Sequence, residues 1–200
     1  EVALVTCFAK GTPVMTPTGS RPIEELKSGD LVLARDENNL EGPVESRPVE
    51  QSLRGEAEII ELALGGRLVR TTGPHPYFVR GRGWTPAAEL IPGDLLSTDA
   101  GGWVPLQCRR ATGEMEPVFN VRVAIDHTYF IGGEDWGFGV WVHNSYGDEI
   151  ILDRPFHVFI RDNVTSTILF MGRISDPTQL QNEVKPTVVD VNADFNGNAL

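Results

Sequence analysis

One stretch of this chain occurs twice. Gly19-Ser-Arg-Pro22, Leu26-Lys-Ser-Gly29-Asp30-Leu31 returns as Gly83-Trp-Thr-Pro86, Leu90-Ile-Pro-Gly93-Asp94-Leu95, with a constant offset of 86 − 22 = 94 − 30 = 64. Each copy reads as a turn, a short helical stretch (PIEEL at 22–26, PAAEL at 86–90), a Gly-Asp turn and a strand. A unit repeated at one offset implies a β fold with internal pseudo-two-fold symmetry. The residues between the copies agree with this. Gly (21 residues) and Pro (14) separate short β-branched or aromatic runs such as LVLA, IIELAL, RLVRTT, PYFV, FNVRVAI and HTYFI, which read as many short strands. The segment from Asp36 to Glu58, rich in Glu, Asn and Pro, reads as a long loop between the two halves.

Charge narrows the range of partners. Seventeen Lys and Arg against 28 acids give a net charge of −11, a field that repels phosphate backbones and anionic headgroups. Nucleic acid is not an expected partner, nor is a fused endonuclease. No apolar run reaches the length needed to cross a bilayer, so no membrane partner is expected, and the chain reads as a monomer. EVALVT lacks the charged start and apolar stretch of a signal peptide, and the missing initiator Met marks a slice of a longer protein. The only two cysteines, Cys7 and Cys108, provide no disulfide framework, and no bridge between them is expected. Cys108, apolar-flanked in PLQC, reads as a buried structural thiol.

The chemistry concentrates at two boundaries. At the first, Cys7 offers a sulfur next to the Thr6 carbonyl. Holding a nucleophile beside its target contributes on the order of 7–11 kcal/mol, although the amide must still be distorted or its nitrogen protonated. His75, in Thr72-Gly-Pro-His75-Pro76, projects from the end of a strand and suits protonation of the departing Cys7 nitrogen, assistance worth roughly 10²–10⁴-fold. Thr72 suits holding the same backbone. At the second boundary, His143-Asn144-Ser145, the Asn144 carboxamide can close on its own main-chain carbonyl and break the bond to Ser145. His143 can donate a proton to that step, His127 can deprotonate the Asn144 amide, and Ser145 supplies a hydroxyl acceptor. Each feature alone is ordinary, since Asn and Ser are common in turns. Together they place three of the four histidines with a Cys at one end and an Asn at the other.

The segment Cys7–Asn144 resembles the Hint superfamily of inteins, bacterial intein-like domains and the Hedgehog autoprocessing domain. CFAKGTPVMTPTGSRPIEELKSGDLVL is similar to the N-terminal splicing motif, RLVRTTGPHPYFV to the motif holding Thr72 and His75, and VFNVRVAIDHTYFIGG with VWVHNS to the C-terminal pair. The resemblance covers 144 − 7 + 1 = 138 of 200 residues. It implies an all-β, pseudo-two-fold horseshoe with no metal or cofactor, acting once and in cis on its own flanking polypeptide. In that reading Cys7 is the first nucleophile and Ser145 the acceptor. Thr72 and His75 activate the first junction; His127, His143 and Asn144 cleave the second. An N–S acyl shift at Cys7 and cyclisation of Asn144 then give splicing, or cleavage alone. Asn120 departs from the resemblance, standing where inteins often place an Asp thought to couple the first steps. Its absence favours competing cleavage by water.

The expected organisation is a flank at 1–6, the autoprocessing domain at 7–144, a second flank at 145–180 and a polar tail at 181–200. In the second flank, ILDRPFHVFIRDN and TSTILFMGRISDPTQL read as a hairpin about an Asp162-Asn163 turn, with strands that need a larger body to cover them. Residues 150–179 are similar to the C-terminal strands of serpins, with His157 a departure and a structural residue. This likeness implies a secreted or cell-surface host whose reactive-centre loop is interrupted and then restored by joining Thr6 to Ser145. Asn192 to Gly197 resembles an incomplete calcium loop without its closing acid. Two other functions compete: a trans-acting cysteine protease, and a protease-inhibitor fragment carrying a passive insert.

Overall fold

A computed structural model describes residues 6–144, 156–161 and 168–174. The chain divides into two compact units, one of them Ala3–Asp148. This unit contains β1 (Phe8–Ala9), β2 (Pro13–Thr16), β3 (Gly19–Pro22), β4 (Leu31–Ala34), β5 (Glu45–Leu64) and β6 (Arg67–Thr72). β7 (Pro76–Val79), β8 (Gly83–Pro86), β9 (Leu95–Ser97), β10 (Trp103–Val123), β11 (Thr128–Gly133) and β12 (Phe138–His143) follow. All twelve belong to one sheet, in the order β3-β2-β11-β12-β7-β9-β10-β1-β6-β5-β4, with β8 paired to β7.

The repeat is visible atom by atom. Single 3₁₀ turns, Ile23–Glu25 and Ala87–Glu89, follow Pro22 and Pro86, whose φ values are −56° and −57°. Gly29 and Gly93 sit at φ 92° and 98°, where a residue with Cβ is strained. Asp30 Oδ2 accepts from Lys27 N at 2.9 Å, and Asp94 Oδ2 from Ile91 N at 2.9 Å. Gly29 N donates to Val49 O and Gly93 N to Leu106 O, both at 2.8 Å. Leu26 and Leu90, closing the two turns, are both buried. The same correspondence extends to Thr12 and His75, whose carbonyls accept from Ile23 N at 2.9 Å and Ala87 N at 2.8 Å. His75 therefore occupies a framework position whose counterpart is a plain threonine.

Two expectations are corrected. Asp36–Glu58 is not one long loop, because β5 begins at Glu45 and pairs with β10 along most of its length. The burial of β5 does alternate from Leu53 to Glu58, but the sheltered face there is only Leu53, Gly55 and Ala57, too little apolar surface to announce a strand among polar neighbours. Cys108 is exposed. From Gln107 to Ala111 β10 is exposed on both faces, so burial along this strand ends at Leu106 and the thiol faces solvent.

The core joins residues from both halves, among them Phe8, Val14, Leu26, Leu62, Tyr77, Leu90, Leu96 and Val142. A satellite cluster holds Cys7, Ala9, Ile59 and Val118. Alternation along the chain thus sends Phe8 into the main core and Cys7 into the satellite. In the second unit β13 (Phe156–Arg161) pairs antiparallel with β14 (Ile168–Ile174), Phe156 opposite Ile174. The expected turn at Asp162-Asn163, residues 1–5, Ser145 and the 181–200 tail lie outside the described residues.

Candidate functional site

The site begins with the main chain of Cys7. Its N–H donates to Thr72 Oγ1 at 2.9 Å. Its carbonyl accepts from Thr72 N at 3.0 Å, Thr71 Oγ1 at 3.0 Å and, more weakly, Thr72 Oγ1 at 3.4 Å. The end of β6 therefore grips Cys7 from both sides of its backbone, and the Thr72 hydroxyl serves as acceptor and donor at once. The Cys7 side chain is almost fully buried, and burial pushes its thiol up to about 12. On the preceding residue, the Thr6 carbonyl accepts from Asn120 Nδ2 at 2.6 Å.

His75 follows β6 by a tight turn in which its N–H donates to Thr72 O at 3.2 Å. The imidazole is fully buried and packs on Phe8, with ring centroids 4.2 Å apart. Burial first, and then the charge of His143, hold its pKa down to about 3, while the Thr6 backbone pulls weakly the other way. Neither ring nitrogen makes a full hydrogen bond among the described residues. At neutral pH thiol and imidazole are therefore both uncharged.

The second junction arrives on β12. Val142 lies opposite Tyr77 in an antiparallel pairing. One residue on, His143 comes close enough to His75 for its charge to act on the His75 imidazole, and Asn144 follows it directly in the chain. His143 Nε2 lies 2.5 Å from Glu37 Oε2, and its ring packs on Trp84 with centroids 4.9 Å apart. The Trp84 indole N–H donates to Glu37 O at 3.4 Å, which ties the Glu37 backbone to the same aromatic.

Asn144 is buried, and its N–H donates to His127 O at 2.9 Å. The hydrogen-bond network assigns its carboxamide orientation: the NH₂ donates to the His127 carbonyl, and the oxygen accepts from Val123 N at 2.5 Å. His127 thus meets Asn144 through its main chain, while its imidazole is exposed. It stands in a strained turn, with Ile125 at φ 70° and His127 at φ 53°, left-handed values that non-glycine residues seldom adopt. Arg47 Nε, 2.8 Å from buried Asp126 Oδ2, braces that turn.

Cys7, Thr72, His75, His143 and Asn144 thus come from β6, β7, β12 and the ends flanking them, gathered by the β1–β6 and β7–β12 pairings. Glu37 and Tyr129 were missed in the sequence. Glu37 sits among other acids in an irregular segment, and nothing local distinguishes it. Tyr129 reads as an ordinary strand aromatic, yet its hydroxyl donates to Asn120 Oδ1 at 2.7 Å.

The Pretoxin HINT domain family profile matches residues 13–145, and the Serpin (serine protease inhibitor) profile matches residues 141–177. No curated protein matches the chain. The chain is similar to the solution structure of a bacterial intein-like domain from Clostridium thermocellum at 30% identity and a TM-score of 0.63. That likeness covers 70% of this chain and 99% of the other. It also has the fold of a DnaB intein from Synechocystis, at 18% identity and a TM-score of 0.61, covering 71% of this chain and 100% of the intein.

Proposed function

The chain belongs to the Pretoxin HINT domain family, and on that premise we propose that it breaks its own backbone at Thr6–Cys7 and Asn144–Ser145. Hint and intein domains are self-processing domains; the steps assigned to this one are as follows. The Cys7 sulfur bonds to the Thr6 carbonyl carbon, the carbon–nitrogen bond to Cys7 breaks, and the thiol proton ends on the freed Cys7 amine. His75, neutral in its buried setting and with the Thr6 backbone beside its ring, suits delivering a proton to the departing Cys7 nitrogen. Thr72 holds the amide N–H and so fixes the leaving nitrogen. The product is a thioester with Thr6 as its acyl group.

Ser145 Oγ then attacks the thioester, expelling the Cys7 thiol. The Asn144 nitrogen attacks its own main-chain carbonyl, the bond to Ser145 breaks, and Asn144 is left as a succinimide. The His127 carbonyl, accepting from the Asn144 amide, raises the electron density of that nitrogen, and His143 gives a proton to the departing Ser145 amine. An ester-to-amide shift completes the Thr6–Ser145 junction.

The observation that supports this reading most strongly is that one β6–β7 corner serves both ends. Thr72 brackets Cys7, and three residues later His75 lies within reach of the charge of His143, the residue immediately before Asn144. The test is a mass-spectrometric time course of the chain and two variants. Cys7→Ala should lose release of 1–6 and retain cleavage after Asn144, and Asn144→Ala should do the reverse. Variants that process both junctions like the parent would refute it. A second reading, cleavage without ligation, is favoured by Asn120 standing in place of the acid thought to couple the steps. It yields no peptide spanning Thr6–Ser145.

A further inference from the structure

Asn120 contacts the atom on which charge develops when sulfur attacks. Its Nδ2 lies 2.6 Å from the Thr6 carbonyl oxygen. Its Oδ1 accepts from the Tyr129 hydroxyl at 2.7 Å and from Val121 N at 2.8 Å. Two donors on the oxygen fix the amide's orientation, because turning it over would set its NH₂ against both. The donor is therefore aimed at Thr6 before any reaction begins. Asn120 and Tyr129 are 1% and 0% exposed, so no water competes for the bond and no solvent must reorganise as charge develops.

We propose that Asn120 is a catalytic residue of the N-terminal step, the oxyanion donor for the Thr6 carbonyl, with Tyr129 as its positioning residue. This deepens the reading of Thr6–Cys7 as the activated bond and rests on it. As the sulfur–carbon bond forms, the carbonyl electrons move onto the Thr6 oxygen, and the Asn120 N–H strengthens its hold on them. When the carbon–nitrogen bond breaks, the carbonyl re-forms as a thioester. A preorganised donor of this kind is worth about 10²–10³ in rate.

The proposal also gives a physical meaning to Asn at this position. An ionised carboxylate there would accept from Tyr129 and Val121 equally well, but would have no proton for Thr6 and would repel the developing oxyanion. Only an amide, or a protonated acid, can satisfy two donors on one side and donate on the other.

The experiment follows the full 200-residue chain with dithiothreitol, reading release of 1–6 and cleavage after Asn144 separately by mass. Asn120→Asp, nearly isosteric, is expected to slow the N-terminal step at pH 8 by roughly 10²-fold, with a much smaller effect on the C-terminal step. Its rate relative to the parent should rise as the pH falls towards the carboxyl range, about pH 4–5, where the acid regains a proton to donate. Tyr129→Phe, which frees the amide to rotate, should slow the N-terminal step by about tenfold. The assignment is overturned if Asn120→Asp matches the parent at pH 8, or if both steps fall in equal proportion, which is the mark of a merely structural role. No dithiothreitol-dependent release from the parent would instead sink the underlying reading, and this assignment with it.

Discussion

Thr71 and Thr72 are neighbours on one strand, both buried and both bonded to Cys7, yet they should differ in what they do. Thr72→Val preserves shape and deletes the acceptor that holds Cys7 N–H at 2.9 Å. The Cys7 carbonyl keeps Thr72 N and Thr71 Oγ1 as donors, each at 3.0 Å, so the damage falls on the amide nitrogen. A buried donor left unsatisfied costs about 1–3 kcal/mol. If that bond strengthens by a comparable amount as the nitrogen departs, its loss corresponds to roughly 5- to 150-fold in rate.

Thr71→Val removes one donor from a carbonyl that retains others, for about 0.5–1.5 kcal/mol of stability and with no direct effect on the leaving nitrogen. The assay is dithiothreitol-induced release of 1–6, timed by mass spectrometry, with thermal melts of both variants. Thr72→Val should release 1–6 markedly more slowly than Thr71→Val at a temperature well below both melting transitions, with Thr72→Val melting no higher than Thr71→Val. A slower Thr71→Val, or a Thr72→Val variant within twofold of the parent, would refute the claim that Thr72 acts on the scissile amide.

Three further outcomes follow from burial and charge. Iodoacetamide near pH 8 should modify exposed Cys108 and spare Cys7 in the folded chain, whose thiol burial raises to about 12, with both labelled in denaturant; the mass shift counts them. His75, about 3 when folded against 6.5 when free, adds stability that is whole above about pH 6.5 and lost as the pH falls towards 3. Denaturant titrations at pH 7 and pH 4 should therefore differ by a few kcal/mol, and His75→Gln should flatten that dependence. Glu37→Gln removes the carboxylate 2.5 Å from His143 Nε2, freeing the imidazole to turn. It should slow cleavage after Asn144 by about tenfold, read from the yield of 145–200.

The fold was legible wherever a residue's local role had one solution. The paired Gly-Asp turns could be read because Gly29 and Gly93 need positive φ, and Asp30 and Asp94 each cap a turn three residues back. The short buried strands announced themselves by alternation and β-branching. The β5–β10 ribbon did not, since the sheltered face of β5 carries only Leu53, Gly55 and Ala57 before Ile59 and its Glu, Arg and Ser resemble loop composition. Cys108 broke the rule that apolar neighbours imply burial because β10 is exposed on both faces from Gln107 to Ala111. At the site, the chemically singular residues were visible because sulfur, imidazole and a terminal Asn are rare and spaced for the task. Of their supports, Asn120 was marked only by the resemblance and without its partner, while Glu37 and Tyr129 were not marked at all. Glu37 reaches His143 across 106 positions and Asn120 reaches Thr6 across 114, and contacts that distant leave no trace in local pattern.

The central claim is that one corner of the sheet processes both ends of the domain, finishing at Asn144 without water. The most direct test is the mass of the released 7–144 fragment, taken early in the reaction. The account predicts a fragment lighter by one water than the free acid, carrying a C-terminal succinimide that hydrolyses slowly. A fragment appearing at once as the free Asn144 carboxylate, with no lighter precursor, would contradict it.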